Sequence, residues 1–137
     1  MAENPPPLHV LVVDDEPLMC WSVAETLAAC GDVVTEAEDG ATAIRSLANA
    51  HGRVDVVLLD YDLPDSHDLT LLSQVRQLAP ASRVILMSAY CTPAMRRDAL
   101  AVGADCVIAK PIDMDDLAAI VNTRLPHAPF TIRPASR

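Results

Sequence analysis

Five polar residues stand at the ends of four short apolar runs. Asp14 and Asp15 follow HVLVV (9–13), Asp60 follows VDVVLL (54–59), Ser88 follows RVILM (83–87) and Lys110 follows CVIA (106–109). Each alone is ordinary, since an aspartate at a strand end is more often a turn former or helix cap than a catalyst. Together they are three carboxylates, a hydroxyl and an ammonium. Gathered at one edge, each pair of carboxylates repels by about 4 kcal/mol at about 4 Å and an effective dielectric of about 20, more than one lysine can offset. A small, hard divalent cation can, and carboxylate sites that keep waters are the preferred setting for Mg²⁺. Such an ion binds a phosphoryl oxygen and draws off charge during transfer. A carboxylate beside it is a competent nucleophile, which makes an aspartyl phosphate the natural product at Asp60. Lys110 can pair with one phosphoryl oxygen and Ser88 can donate to another. A new dianion recruiting both would pull on the loops that carry them, turning a local charge event into an altered surface.

The elements that must position these residues follow from the spacing. The four runs and VVTEA (33–37) recur at intervals of about 20 to 25 residues, and most are β-branched and too short for helices. Between them, Met19, Val23, Leu27 and Cys30 form one helical stripe, Ile44, Leu47 and Ala48 a second, and Leu71, Val75 and Leu78 a third. Pro17 suits a first helical turn, Thr92-Pro93 reads as a cap followed by proline, and Gly31 and Gly103 stand at expected helix ends. The last helix is expected to begin at Asp113, with Ile112 and Leu117 at the spacing of a hydrophobic staple. Alternating β and α elements with nearly continuous apolar strands predict an α/β fold, a parallel sheet covered on both faces. In such sheets the ligand site lies at the carboxyl ends of the strands, where the five polar residues stand.

At 137 residues and 51% hydrophobic, the chain is expected to form one domain over 8–125. Residues 1–7 and 126–137, proline-containing and without periodicity, are expected to be flexible tails. No stretch approaches the roughly 20 apolar residues of a membrane span. MAENPPPLH lacks the basic-then-apolar pattern of a signal peptide, so a cytoplasmic protein is expected. A formal charge of −9 argues against direct nucleic-acid binding. Cys20, Cys30, Cys91 and Cys106 lack C-x-x-C spacing, and three of them fall in apolar segments where a thiol packs as a small hydrophobe. His9, His51, His67 and His127 are as scattered and suggest no metal site.

VLVVDDE (10–16), LLDYDLPD (58–65), MSAY (87–90) and AKP (109–111), in this order and spacing, resemble the receiver domain of two-component response regulators. The resemblance covers about residues 8 to 125, and LPDSHDLTLL and SAY look most like receivers of the nitrogen-regulation class. It implies a flavodoxin-like, doubly wound (βα)5 sandwich with strand order 2-1-3-4-5. It further implies that Asp60 is the phosphoacceptor, that Asp15 and Asp60 ligate Mg²⁺ directly and Asp14 through water, and that the Asp62 backbone carbonyl is a further ligand. Ser88 would be the switch hydroxyl and Lys110 the phosphate-pairing lysine, with a cis bond to Pro111. The implied donor is a phosphohistidine on a sensor kinase or a histidine phosphotransfer protein. The effector, or an output domain on another chain, would read the surface of the fourth and fifth strands and their helices, a face through which receivers frequently form homodimers. Arg96, Arg97 and Asp98 on that face read as a solvated helix flank. Self-catalysed transfer and dephosphorylation, with no turnover enzyme, are what the resemblance implies.

Three positions depart from the family pattern. Val107 stands where an aromatic switch residue is usual; Tyr90, on the loop of Ser88, is either its substitute or an ordinary half-exposed loop aromatic. Asp68 replaces a glycine, so a position needing positive φ would reshape the loop. Asp62 is an additional carboxylate, read as a solvated loop acid, or as a group that attracts cations and impedes the hydrolytic water.

Two other readings compete. VVLLDYDLP also resembles the nucleophile motif of haloacid-dehalogenase-type phosphatases, but that motif belongs on a first strand and leaves Asp14 and Asp15 unexplained. A receiver-like interaction module that is never phosphorylated is favoured only by Val107.

Overall fold

The computed structural model describes residues 6–123. Strands and helices alternate: β1 (His9–Val13), α1 (Pro17–Ala29), β2 (Val33–Ala37), α2 (Gly40–Ala50), β3 (Val56–Asp60), α3 (Thr70–Leu78), β4 (Arg83–Ser88), α4 (Pro93–Val102), β5 (Cys106–Ala109) and α5 (Met114–Asn122). All neighbouring strands are parallel, in the order β2-β1-β3-β4-β5. This is the expected flavodoxin-like arrangement. The expected tails fall outside the described residues save Pro6 and Pro7, and so do residues 124 and 125.

Alternation along the strands divides the core in two. Leu11, Val13, Val57, Leu59, Leu86 and Val107 point to α2, α3 and α4. Val10, Val12, Leu58, Ile85, Met87 and Ile108 point to α1 and α5. Both faces are covered, so the central strands carry apolar residues at every interior position. The edge strand β2 buries only Ala37, which is why VVTEA is the least apolar of the five.

Several local expectations shift. Strand β3 starts at Val56 and includes Asp60, and β4 includes Ser88, so both residues close their strands rather than follow them. On α1 the buried residues are Cys20, Val23 and Leu27; Cys30 ends the helix in solvent. On α2 they are Gly40, Ala43 and Leu47, with Ala48 exposed, and on α3 they are Leu71, Leu72 and Val75, with Leu78 exposed. Each helix is turned slightly from its expected stripe; on α2 the small residues Gly40 and Ala43 face inward, where larger ones would hold the helix off the sheet. Cys20 and Cys106 pack as small hydrophobes, and Cys91 is half-buried.

The expected caps form. Thr92 accepts from the Met95 amide at 3.1 Å, and Asp113 accepts from the Asp115 and Asp116 amides at 2.8 and 3.2 Å. Gly31 and Gly103 take positive φ past the ends of α1 and α4.

One residue ties the lower ends of the elements together. Arg76 donates to the carbonyls of Gly103, Ala79, Pro80 and Ser82 at 2.8 to 3.3 Å and pairs with Asp105 at 2.6 Å. The same Asp105 oxygen accepts from the Val84 amide at 2.9 Å. Both side chains are about one-fifth exposed, so solvent weakens the ion pair but not the need to satisfy the carbonyls. Arg76→Met is expected to cost roughly 2–4 kcal/mol, from the unmet carbonyl acceptors and the lost ion pair with Asp105. Urea unfolding reads this directly, and an unmoved midpoint would show that the hub carries nothing.

Candidate functional site

The parallel sheet delivers the ends of β1, β3, β4 and β5 to one edge. Asp14 is the first residue beyond β1, and its side chain is fully buried. Its Oδ1 accepts from the Glu16 amide at 3.0 Å, and its Oδ2 accepts from Lys110 Nζ at 2.9 Å, a contact that spans 96 residues of sequence. Lys110 Nζ also lies 3.2 Å from Asp60 Oδ2 and 3.4 Å from Glu16 Oε1. Carboxylate oxygens of Asp14, Asp15 and Asp60 lie within 4.8 Å of one another. The convergence expected of these residues is therefore met.

The electrostatics are under-compensated. Burial and the neighbouring Asp14 charge push the Asp60 carboxyl up to about 6, against the pull of Lys110. Burial works against the Lys110 charge, yet its hydrogen bond to Asp14 and the charge of Asp60 hold it above the ordinary lysine value. Three carboxylates facing one ammonium, with Glu16 adding a fourth negative charge, form a donor set suited to a hard divalent cation.

A cleft of about 470 Å³ opens beside this cluster, lined by Asp15, Glu16, Asp60, Asp62, His67, Ala89 and Lys110 among others. Ser88 is buried and is not on its wall. Its Oγ accepts from the Tyr90 amide at 3.1 Å, and its carbonyl accepts from the Lys110 amide at 2.8 Å, so the hydroxyl and the lysine share one backbone link. Glu16 and His67 were not picked out in the sequence. Glu16 had a signal, since it directly follows the Asp14-Asp15 pair; His67 sits on an aperiodic loop and had none. His67 Nδ1 lies 2.8 Å from Asp62 Oδ1, with both side chains largely in solvent.

Residues 10–122 match the family described as the response regulator receiver domain. The chain belongs to that family. This receiver is 34% identical over 118 residues to the transcriptional regulator NtrC of Escherichia coli (strain K12), covering 86% of this chain and 25% of that one. It is 32% identical to the chemotaxis protein CheY of Bacillus subtilis, covering 85% of this chain and 97% of CheY. The chain thus spans a quarter of the NtrC regulators and nearly all of CheY. Among solved structures, a response regulator of Burkholderia pseudomallei with a phosphorylated aspartic acid and a calcium ion is 26% identical, with a TM-score of 0.76 over 85% of this chain and 67% of that one. CheY of Borrelia burgdorferi in complex with CheX, BeF3 and magnesium is 29% identical, with a TM-score of 0.76 over 81% and 84%. Membership in this family sets the phosphatase reading aside.

The receiver's departures take definite form. Val107 is 2% exposed and packs in the core beneath α4. Arg96, expected on a solvated flank, instead donates to the Val107 carbonyl at 2.8 Å, meeting an acceptor on the edge strand β5. The Tyr90 side chain is 85% exposed. Asp68 does not adopt positive φ; its Oδ1 accepts at 2.8 Å from the amide of Thr70, the first residue of α3. The Lys110–Pro111 bond is cis, as the resemblance implied.

Proposed function

We propose that this receiver accepts a phosphoryl group on Asp60, with Mg²⁺ bound, and changes its partner-binding surface as a result. The observation that carries the reading is Lys110 Nζ standing 2.9 Å from Asp14 and 3.2 Å from Asp60 within a three-carboxylate cluster. Asp15 and Asp60 would hold the ion directly, Asp14 through water, and Asp62 through its backbone carbonyl. When bound, the ion offsets the carboxylate repulsion and withdraws charge from the phosphoryl oxygens.

A carboxylate oxygen of Asp60 attacks phosphorus as the phosphorus–nitrogen bond of a phosphohistidine breaks and the imidazole departs. Lys110, already charged and already at the nucleophile, pairs with a phosphoryl oxygen. The Ser88 hydroxyl accepts from the Tyr90 amide, which leaves its proton to donate to the phosphoryl group. Moving Ser88 and Lys110 strains the backbone link between them and the loops beyond β4 and β5. The protein acts as a substrate that helps its own modification, with no steady turnover. Treatment with acetyl phosphate and Mg²⁺ should add one phosphate mass to the wild type and none to Asp60→Ala. No gain, or a gain in both, would leave a receiver-fold module that is not phosphorylated on Asp60.

The donor is a sensor histidine kinase or a histidine phosphotransfer protein, and the reader is an effector or an output domain on another chain, in the cytoplasm. No helix among the described residues is long and apolar enough to cross a membrane. An apolar groove of about 490 Å³ lined by Leu18, Met19, Ile112 and Met114 shares Glu16, Ala89 and Lys110 with the acidic cleft. Leu18, on its wall, is 73% exposed, and Trp21, about one turn further along α1, is 60% exposed. A protein bringing its histidine to Asp60 must cover this ground. Trp21→Ala is expected to remove about 2 kcal/mol of docking energy, as buried aromatic anchors do. Transfer from the cognate kinase would slow by about thirtyfold, while labelling by acetyl phosphate stays unchanged. Equal slowing with both donors would refute a docking role.

A further inference from the structure

The N-terminus of α2 is held by two acids from different parts of the chain. Asp39 caps it in the usual way, accepting from the Thr42 amide at 2.8 Å. The two preceding amides go elsewhere: Asp65 Oδ1 accepts from Gly40 at 2.8 Å and Oδ2 from Ala41 at 3.1 Å, across 25 and 24 residues of sequence. Gly40 makes the approach feasible, because a Cβ there would meet Asp65 Oδ1 and Leu71 Cδ2, each at 3.1 Å. There is little slack between this anchor and the cleft. Leu63 is buried in the core, and Leu63 and Ser66 exchange backbone hydrogen bonds of 2.9 and 3.2 Å that close a tight turn around Asp65. Asp62 directly precedes Leu63, and its amide donates to Asp60 Oδ1 at 3.3 Å.

The geometry points to Asp65 as a positioning residue that fastens the β3–α3 loop to α2 and so sets where the Asp62 carbonyl stands in the cation site. The inference rests on the proposed Mg²⁺ site. It assigns α2, which contributes no residue to the cleft, a mechanical part in binding the ion. Groups that orient metal ligands from behind typically govern affinity by tenfold or more.

Titration of the full chain with MgCl2 by calorimetry tests this on wild type, Asp65→Ala, Asp65→Asn, Gly40→Ala and the Asp65→Ala/Gly40→Ala double variant. Asp65→Ala is expected to weaken Mg²⁺ binding about tenfold. Asp65→Asn, keeping one acceptor, should weaken it less. Gly40→Ala pushes on the same contact from the other side, so the double variant should be no worse than the poorer single one. In nitrogen-15 spectra, MgCl2 should shift the Gly40 and Ala41 amide resonances of the wild type but not those of Asp65→Ala. Folded Asp65→Ala that binds Mg²⁺ like the wild type, or additive losses in the double variant, overturns the inference. Should Asp65→Ala not fold, Asp65→Asn and Gly40→Ala decide by the same comparison. A wild type that binds no Mg²⁺ overturns the site reading itself, whereas a binding wild type matched by folded variants removes only the role of Asp65.

Discussion

Asp60→Asn is expected to take up no phosphate and, in metal-free buffer above pH 6, to be more stable than the wild type by roughly 3 kcal/mol. The second effect follows from the raised pKa. Burial and Asp14 lift the Asp60 carboxyl from its ordinary 3.8 to about 6, a little over two units at about 1.36 kcal/mol each. A raised acid pKa means that the folded chain holds a proton which the unfolded chain releases. Below about 3.8 both states are protonated and Asp60 costs nothing. Between there and about 6 the wild type loses stability as pH rises, and above that the loss is complete. The asparagine variant should show no such slope from this position. Mg²⁺ should close most of this gap, since an ion at about 100 times its dissociation constant adds about 2.7 kcal/mol to a fold that binds it. Urea unfolding of both proteins at pH 4, 5, 6 and 8, with and without Mg²⁺, separates these contributions. A constant difference across that range would mean that Asp60 is not under charge stress.

Lys110→Met should produce the opposite disturbance. The substitution preserves most of the aliphatic stem and removes the charge, leaving Asp14 and Asp60, with side chains 0% and 6% exposed, facing each other without a cation. Breaking one side of a buried ion pair typically costs about 3–5 kcal/mol, and here the stranded partners also repel. The Asp60 carboxyl should rise further, because Lys110 is what pulls it down. The raised lysine pKa places its contribution in full below about 10.5, to be lost only at more alkaline pH, so the wild-type and variant stabilities should differ across the whole neutral range. Mg²⁺ should restore much of the loss by supplying charge to the same carboxylates. If phosphorylated, the variant should retain its phosphate but lack the lysine that draws the loop after β5 toward it. An unchanged urea midpoint in chelator would show that solvent, not Lys110, carries the carboxylate charge.

The strand pattern and its polar ends were legible because a doubly covered parallel sheet forces continuous apolar runs, and because strand ends are the only uncovered part of each run. The helix faces were less legible. Met19, Val23, Leu27 and Cys30 satisfy helical spacing, yet the sheet buries Cys20 rather than a stripe ending at Cys30. Several rotations of a short apolar helix satisfy periodicity almost equally well, and packing chooses among them. Arg96 looked like a surface charge because nothing near it in sequence needs a donor; the acceptor is the Val107 carbonyl on the edge strand. Asp65 carries no signal of its own in the sequence for the same reason, its partners lying at Gly40 and Ala41.

What the residues alone determined was the inventory: Asp14, Asp15, Asp60, Ser88 and Lys110, each at a strand end, in an order that one sheet topology brings together. The tertiary structure decided their physical state. Lys110 meets Asp14 across 96 residues, and the protonation of Asp60 depends on that meeting. Coulomb energy varies with distance and burial rather than with separation along the chain, so the charge balance at Asp60 exists only once the sheet has closed around it.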